Sequence, residues 1–280
     1  MNASTTPSAR ALADFSGTLL LVGAGKMGAA MLEGWLSLGL DATRIIVIEP
    51  QPSNDVTALA AHGMRLNPAQ HNEASAIVIA VKPQSAHEAM PTLAPFVGAS
   101  TVAVSIMAGQ PLRLLEGALP PGTALVRAMP NTPAAIGRGI TVAVPNAHVS
   151  VPQRELVHTL LSAIGAVEWV ADEGLMDAVT AVSGSGPAYV FLLAEVLAKA
   201  GAAAGLPSEL AATLARATVA GSGELLHRSP LDVATLRQNV TSPGGTTAAA
   251  LDVLMARDGL EPLMIRAIAA ATRRSRELAG

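Results

Sequence analysis

The chain has 280 residues, half of them hydrophobic, with 18 basic and 21 acidic residues giving a net charge of −3. This length predicts two unequal domains, and without a basic patch neither nucleic acid nor an anionic membrane is expected as a partner. There is no cysteine among the residues, which excludes disulfides, thiol catalysis and zinc–thiolate sites, and the six histidines show no metal-ligand spacing. No uninterrupted apolar run reaches the roughly 18–20 residues of a membrane-spanning helix, so a soluble, cytoplasmic protein is the expectation.

Residues 1–17 are polar and rich in Ala, Ser and Thr, and read as a flexible N-terminal extension. A β-like run at 18–22 leads directly into Gly23-Ala24-Gly25-Lys26-Met27-Gly28, then into a helical stretch ending near Leu38. Strand, GxGxxG and helix in that order predict a dinucleotide cradle. Gly23 permits the tight turn, Gly25 lets the backbone approach a pyrophosphate, and Gly28 lets the helix pack on the strand. The helix N-terminus then offers unpaired N–H groups to the anion. A second strand at 44–49 ends on Glu49, about twenty residues past the third glycine. An acidic side chain there accepts from ribose hydroxyls and repels a 2′-phosphate. With no Arg in 50–55 this favours NAD over NADP, although a solvated strand-end glutamate explains Glu49 equally well.

Further strands are predicted at 76–81, 101–106, 124–128, 140–144 and 167–170. They are apolar at nearly every position, as parallel strands covered on both faces must be. Residues 18–170 therefore read as an α/β, Rossmann-type domain with a doubly wound parallel sheet. Val81-Lys82-Pro83, Ala108-Gly109 and Met129-Pro130-Asn131-Thr132-Pro133 each fall just past a strand's carboxyl end, the edge along which such sheets bind ligands. Asn131 and Thr132 are suited to a carboxamide, and Lys82 is the charged residue of this edge, with a structural or a general-acid role open to it. Each loop taken alone is also ordinary turn chemistry.

From 171 onward the strand signals stop, and helices are predicted at 173–182, 187–204, 208–227, near 233–239, 246–257 and 262–278. Residues 171–280 thus form an all-helical domain. The helices opening at Pro187 and Ser208 are apolar on most faces, which points to a homodimer interface. Two glycine-rich interruptions each open a helix: Ser183-Gly184-Ser185-Gly186-Pro187 and Thr241-Ser242-Pro243-Gly244-Gly245-Thr246-Thr247. The second suits a small carboxylate held by backbone N–H groups and the hydroxyls of Ser242, Thr246 and Thr247. Ordinary N-capping is the competing reading.

Together these segments resemble the pyrroline-5-carboxylate reductase family. The likeness runs from about Leu19 to Leu278 and rests on GAGKMG, AVKP, MPNTP, AVSGSGPAYVF and NVTSPGGTTAAAL, in the family's order and spacing. It implies a Rossmann domain followed by an all-helical dimerisation domain that also binds substrate. It also implies intertwined homodimers with active sites at the subunit interface, often assembled further into decamers. The implied reaction is reduction of 1-pyrroline-5-carboxylate to L-proline by NADPH or NADH, the last step of proline biosynthesis. By motif, the resemblance implies that Gly23, Ala24, Gly25, Lys26, Met27 and Gly28 hold the pyrophosphate and that Asn67 lies near the adenosine. Ala80, Val81, Lys82, Pro83, Ala108 and Gly109 would line the cofactor, with the loop of Asn131 at its nicotinamide end. Ser242, Gly244, Gly245, Thr246 and Thr247 match the substrate loop, and Thr247 is expected to relay the proton to the ring nitrogen.

Two departures stand out: Glu49 replaces the small or polar residue of many relatives, and 228–235 lacks the acidic residue and His-Pro pattern common there. Three rival readings follow from the residues. They are a reductase of another cyclic imine, a hydroxyacid dehydrogenase needing a Lys or His acid–base in the helical domain, and a nicotinamide-binding sensor without catalysis.

Overall fold

The computed structural model describes residues 10–69 and 72–279. They divide into two compact units, one running to Gly184 and including the tail from Thr272, the other Ser185–Ala271. The first unit holds strands β1 (Leu19–Val22), β2 (Ile45–Ile48), β3 (Arg65–Leu66), β4 (Ala74–Ile79), β5 (Val97–Ser105), β6 (Ala124–Met129), β7 (Gly139–Pro145) and β8 (Gly165–Trp169). Its helices are α1 (Lys26–Ser37), α2 (Asn54–Leu59), α3 (Ala86–Ala89), α4 (Leu112–Ala118), α5 (Val151–Ser162) and α6 (Met176–Val179). The second unit holds α7 (Gly186–Ala203), α8 (Ser208–Arg228), α9 (Val233–Asn239), α10 (Thr246–Leu254) and most of α11 (Leu260–Leu278).

The eight strands form one sheet in the order β3-β2-β1-β4-β5-β6-β7-β8. The runs β1–β6 are parallel throughout, as their patterning requires. β7 returns antiparallel to β6, and β8 then pairs parallel with β7, which corrects the expectation of a wholly parallel sheet. The reason is chain length. Only residues 130–138 join β6 to β7, with a 3₁₀ turn at Thr132–Ile136, and a parallel crossover needs about a dozen residues or more. β3 escaped the sequence reading because a two-residue strand leaves no periodic signal.

Alternate residues of each strand feed two cores. Leu19, Leu21, Ile45, Val47, Val78, Val104 and Val126 pack with Met31, Leu32 and Trp35 of α1 and Val157, Leu160 and Leu161 of α5. Leu20, Val22, Ile46, Ile77, Ile79 and Leu125 pack on the other face with Met90, Leu93, Phe96, Leu112, Leu115 and Met176. Burial on both faces explains the unbroken apolar runs. Trp35 is fully buried, and its indole N–H donates to Leu160 O at 2.8 Å, tying α1 to α5.

By its contacts the first compact unit extends to Gly184, past residue 170 where the strand signals end in the sequence. Met176 is buried in the sheet's core, and Glu173 bonds both Arg127 Nη1 of β6 and the Leu112 N–H of α4, each at 2.8 Å. These contacts hold 171–184 to the sheet. The tail also returns to this unit: Ser275 Oγ donates to Asp177 Oδ1 at 2.7 Å, and Arg113 Nη2 donates to Ala279 O at 3.3 Å. The expected N-terminal extension 1–17 falls partly outside the described residues. Its described part is packed rather than free, with Leu12 buried and its N–H donating to Leu38 O at 3.0 Å.

In the second unit α7 and α8 pack through small residues, with Gly201 facing Ala211, and both Ala211 and Ala215 are buried. Little else is. Phe191 is 69% exposed and Ile265 63%, and Val190, Leu193, Val196, Leu210, Leu214 and Leu226 are exposed as well. The Ser183–Pro187 interruption is helical: a π-turn at Thr180–Gly184 joins α6 to α7. The resulting run Glu173–Ala203 contains an 18-residue window of mean hydropathy 1.4, of which 6% is buried. By length and composition it could cross a membrane. Small polar residues such as Ser183 and Ser185 interrupt the apolar run in sequence without interrupting the helix.

Replacing Glu173 by Ala leaves the Arg127 guanidinium, 7% exposed, without its carboxylate. The expected loss is about 3–5 kcal/mol of unfolding free energy in urea titration. A change below about 1 kcal/mol would show that the pair does not hold this segment.

Candidate active site

Because β1–β6 are parallel, the segments that follow them all emerge on one edge of the sheet. Gly23–Gly28 follows β1, Glu49 follows β2, Asn67 follows β3, Ala80–Pro83 follows β4, Ala108–Gly109 follows β5 and Asn131 follows β6. The strand order reverses between β1 and β4, so the glycine loop lies at the switch point where open sheets of this kind bind ligands.

The glycine loop is shaped by steric contact. Gly23 has φ +91° and lies against the backbone of Ala80 and Val81, so a side chain is excluded. A Cβ on Gly28 would collide with Gly23 O, whereas one on Gly25 would meet nothing within 4 Å. Gly25 is the N-cap of α1 and supplies no side-chain cap, leaving the first-turn amides to another acceptor. Open space beside Gly25 and an uncapped helix start fit a pyrophosphate. Lys26 is exposed at the start of α1, and Met27 is half-buried.

Glu49 is held in place at this loop. Its Oε2 accepts from Ala24 N–H at 2.8 Å and its Oε1 from Gln51 N–H at 3.0 Å. Asn67, with φ +45°, clamps the Glu49 main chain from both ends: Oδ1 accepts from Glu49 N–H and Nδ2 donates to Glu49 O, each at 2.9 Å. The plain reading of Glu49 as a solvated strand-end residue is not what the structure shows. The clamp was invisible in the sequence, since eighteen residues separate its partners.

The other edge residues are placed less uniformly. Val81 and Pro83 are half-buried, and Lys82 is exposed before the 3₁₀ turn Pro83–Ser85. Gly109 has φ +69° and faces Leu278 of the returning tail. Asn131 Oδ1 accepts from Ile140 N–H at 2.9 Å, so that oxygen holds the loop to β7.

The remaining candidates belong to the second unit. Gly245 N–H donates to Ser242 O at 3.0 Å, closing a turn with Pro243 second and Gly244, φ +70°, third. Proline followed by a positive-φ glycine is the type II pattern. Gly245 is then the N-cap of α10, with Thr246 and Thr247 in its first turn. The cap position thus holds a glycine, so the N-capping alternative does not account for the hydroxyl residues around it.

A family model described as pyrroline-5-carboxylate reductase dimerisation matches residues 173–278, and one described as NADP oxidoreductase, coenzyme F420-dependent, matches 18–109. A pyrroline-5-carboxylate reductase of Pseudomonas aeruginosa is 39% identical over 93% of this chain and 96% of its own length. The chain belongs to the pyrroline-5-carboxylate reductase family. The reductase of Synechocystis is likewise 39% identical, over 92% of this chain and 97% of its own. Among solved structures, the Coxiella burnetii reductase has a TM-score of 0.86 at 33% identity, covering 95% of this chain and 99% of that one. The Plasmodium falciparum enzyme, solved with NADP bound, has a TM-score of 0.77 at 29% identity over 95% and 99%. The family is one of NAD(P)-dependent oxidoreductases, and its dimerisation region covers the exposed apolar helices α7 and α8.

Gly25→Ala should leave the melting temperature unchanged and weaken NAD(P)H binding about tenfold or more in fluorescence titration. Gly28→Ala should lower both. Unaltered binding in Gly25→Ala would show that nothing approaches the loop there.

Proposed function

We propose that this chain catalyses the NAD(P)H-dependent reduction of 1-pyrroline-5-carboxylate to L-proline. The main support is family membership across both units, so that one chain carries a nicotinamide cradle and the Ser242–Thr247 turn. When bound, the reduced nicotinamide supplies a hydride to the imine carbon. The ring nitrogen must also gain a proton. The iminium form is the better electrophile, so the protein needs no strong acid, and its main task is alignment at near-attack distance.

In this reading the amides of Gly25, Lys26, Met27 and Gly28 hold the pyrophosphate, and Ala80–Pro83, Ala108, Gly109 and the Asn131 loop line the cofactor. The amides opening α10 and the hydroxyls of Ser242 and Thr246 hold the substrate carboxylate. That grip is remote from the reacting bond and orients the ring through binding energy. Thr247 hydroxyl donates to the ring nitrogen and relays a proton from water. The chain works as a homodimer built on α7 and α8, with dimers assembled into a decamer, in the cytoplasm. Apolar faces as exposed as those of α7 and α8 support burial against a second copy.

Thr247→Ala should lower kcat by about 10²-fold while the KM for NAD(P)H changes little. An unchanged kcat would remove Thr247 from the proton path. The reaction itself is read from loss of nicotinamide absorbance with 1-pyrroline-5-carboxylate. Folded protein that binds the dinucleotide without oxidising it would overturn the substrate assignment. Light scattering should find no monomer at micromolar concentration, and a stable monomer would exclude the dimer.

A further inference from the structure

Glu49 follows β2 on the carboxyl edge, where sheets of this kind meet the adenosine ribose, the part in which NADH and NADPH differ. β2 ends at Ile48, whose carbonyl accepts from Gly23 N–H at 2.8 Å, and Ala24 N–H then reaches Glu49 Oε2. The carboxylate is thereby attached to the first residues of the glycine loop. Each of its oxygens takes one backbone N–H, from Ala24 and from Gln51. A carboxylate has about four acceptor positions, so one remains on each oxygen for a pair of vicinal hydroxyls.

Charge works in the same direction. A phosphate monoester carries about −1.5 to −2 charge near neutrality, and like charges in contact are strongly unfavourable. The residues after Glu49 are Pro50, Gln51, Pro52, Ser53, Asn54 and Asp55, which bring a second carboxylate and no cation. Ser53 is the N-cap of α2, its Oγ accepting from Val56 N–H. Adjoining segments carry Arg44 before β2, Lys26 at the start of α1 and Arg65 in β3.

Asn67 sets the geometry. Its side-chain amide spends its oxygen and its nitrogen on the Glu49 main chain, and its own N–H donates to Val47 O at 2.8 Å. The clamp needs Asn67 at φ +45°, a conformation Asn tolerates better than most residues. With the Glu49 backbone held, the carboxylate is aimed at Ala24 rather than left to rotate in solvent.

We propose that Glu49 determines cofactor choice, favouring NADH over NADPH, and that Asn67 is a positioning residue acting through it. This rests on the dinucleotide site described above and adds the specificity of that site. Asn67 keeps a second N–H and a second oxygen lone pair beyond the clamp, so positioning Glu49 is compatible with its expected place near the adenosine.

The test measures dissociation constants of NADH and NADPH by nicotinamide fluorescence on the full-length protein, with NAD+ and NADP+ compared by calorimetry. The proteins are the wild type, Glu49→Gln, Glu49→Ser, Asn67→Ala and the double variant of Asn67→Ala with Glu49→Ser. Wild type should bind NADH at least tenfold more tightly than NADPH. Glu49→Gln, which keeps the shape and removes the charge, should narrow that ratio about tenfold, and Glu49→Ser should abolish or invert it. Asn67→Ala should move the ratio the same way, with no further movement when added to Glu49→Ser. That last result separates positioning from general destabilisation, which would weaken both cofactors alike. Equal or tighter NADPH binding by wild type overturns the proposal, as does a ratio unchanged in both Glu49 variants. A wild type that binds neither dinucleotide overturns the site itself.

Discussion

At Gly23 the main chain turns with φ +91° while lying against the backbone of Ala80 and Val81, so neither a Cβ nor a right-handed conformation fits there. That contact draws the loop after β1 against the loop after β4, across the point where strand order reverses. Gly28 repeats the constraint one turn later, because its Cα faces Gly23 O and brings α1 down onto the strand end. From these two contacts follow the direction of α1 and the burial of Trp35 against α5. The first amides of α1 consequently stand open beside Gly25. The Ala24 N–H also meets the Glu49 carboxylate because Gly23 is already bonded to Ile48.

The helical unit obeys a different constraint. Where α7 and α8 meet, Gly201 faces Ala211, and the residues buried in α8, Ala211 and Ala215, are small and remove little apolar area from water. The larger residues, Phe191, Leu192, Leu193 and Val196 among them, stay exposed. Apolar side chains exposed to this degree are the kind that a second protein surface covers. The family's dimerisation region spans these helices. The same run satisfies the composition of a membrane span, which shows that hydropathy along one helix does not distinguish lipid from a second subunit.

Much of the carboxyl edge could be read without coordinates. The apolar runs of β1, β2, β4, β5 and β6 announce strands buried on both faces, and Gly23, Gly25 and Gly28, set between a strand and a helix, announce a cradle. What could not be read comes from pairs distant in sequence. Asn67 and Glu49 are eighteen residues apart, Arg127 and Glu173 forty-six, and Asp177 and Ser275 ninety-eight. Those pairs decide that Glu49 is fixed instead of solvated, that 171–184 stays with the sheet, and that the tail folds back on the first unit. The direction of β7 could have been anticipated from the short connection 130–138, since an unbroken apolar run marks burial on both faces and fits an antiparallel strand there as well.

The sequence by itself determined the strands β1, β2 and β4 to β8, the helices α1 and α7 to α11 and the glycine-rich turns at 23–28 and 242–245, because periodicity, turn chemistry and steric freedom act over a few neighbouring residues. Only the tertiary structure decided the sheet's antiparallel edge, the division at Gly184 and the hold of Asn67 on Glu49. Those depend on hydrogen bonds and burial between segments whose meeting no local pattern encodes.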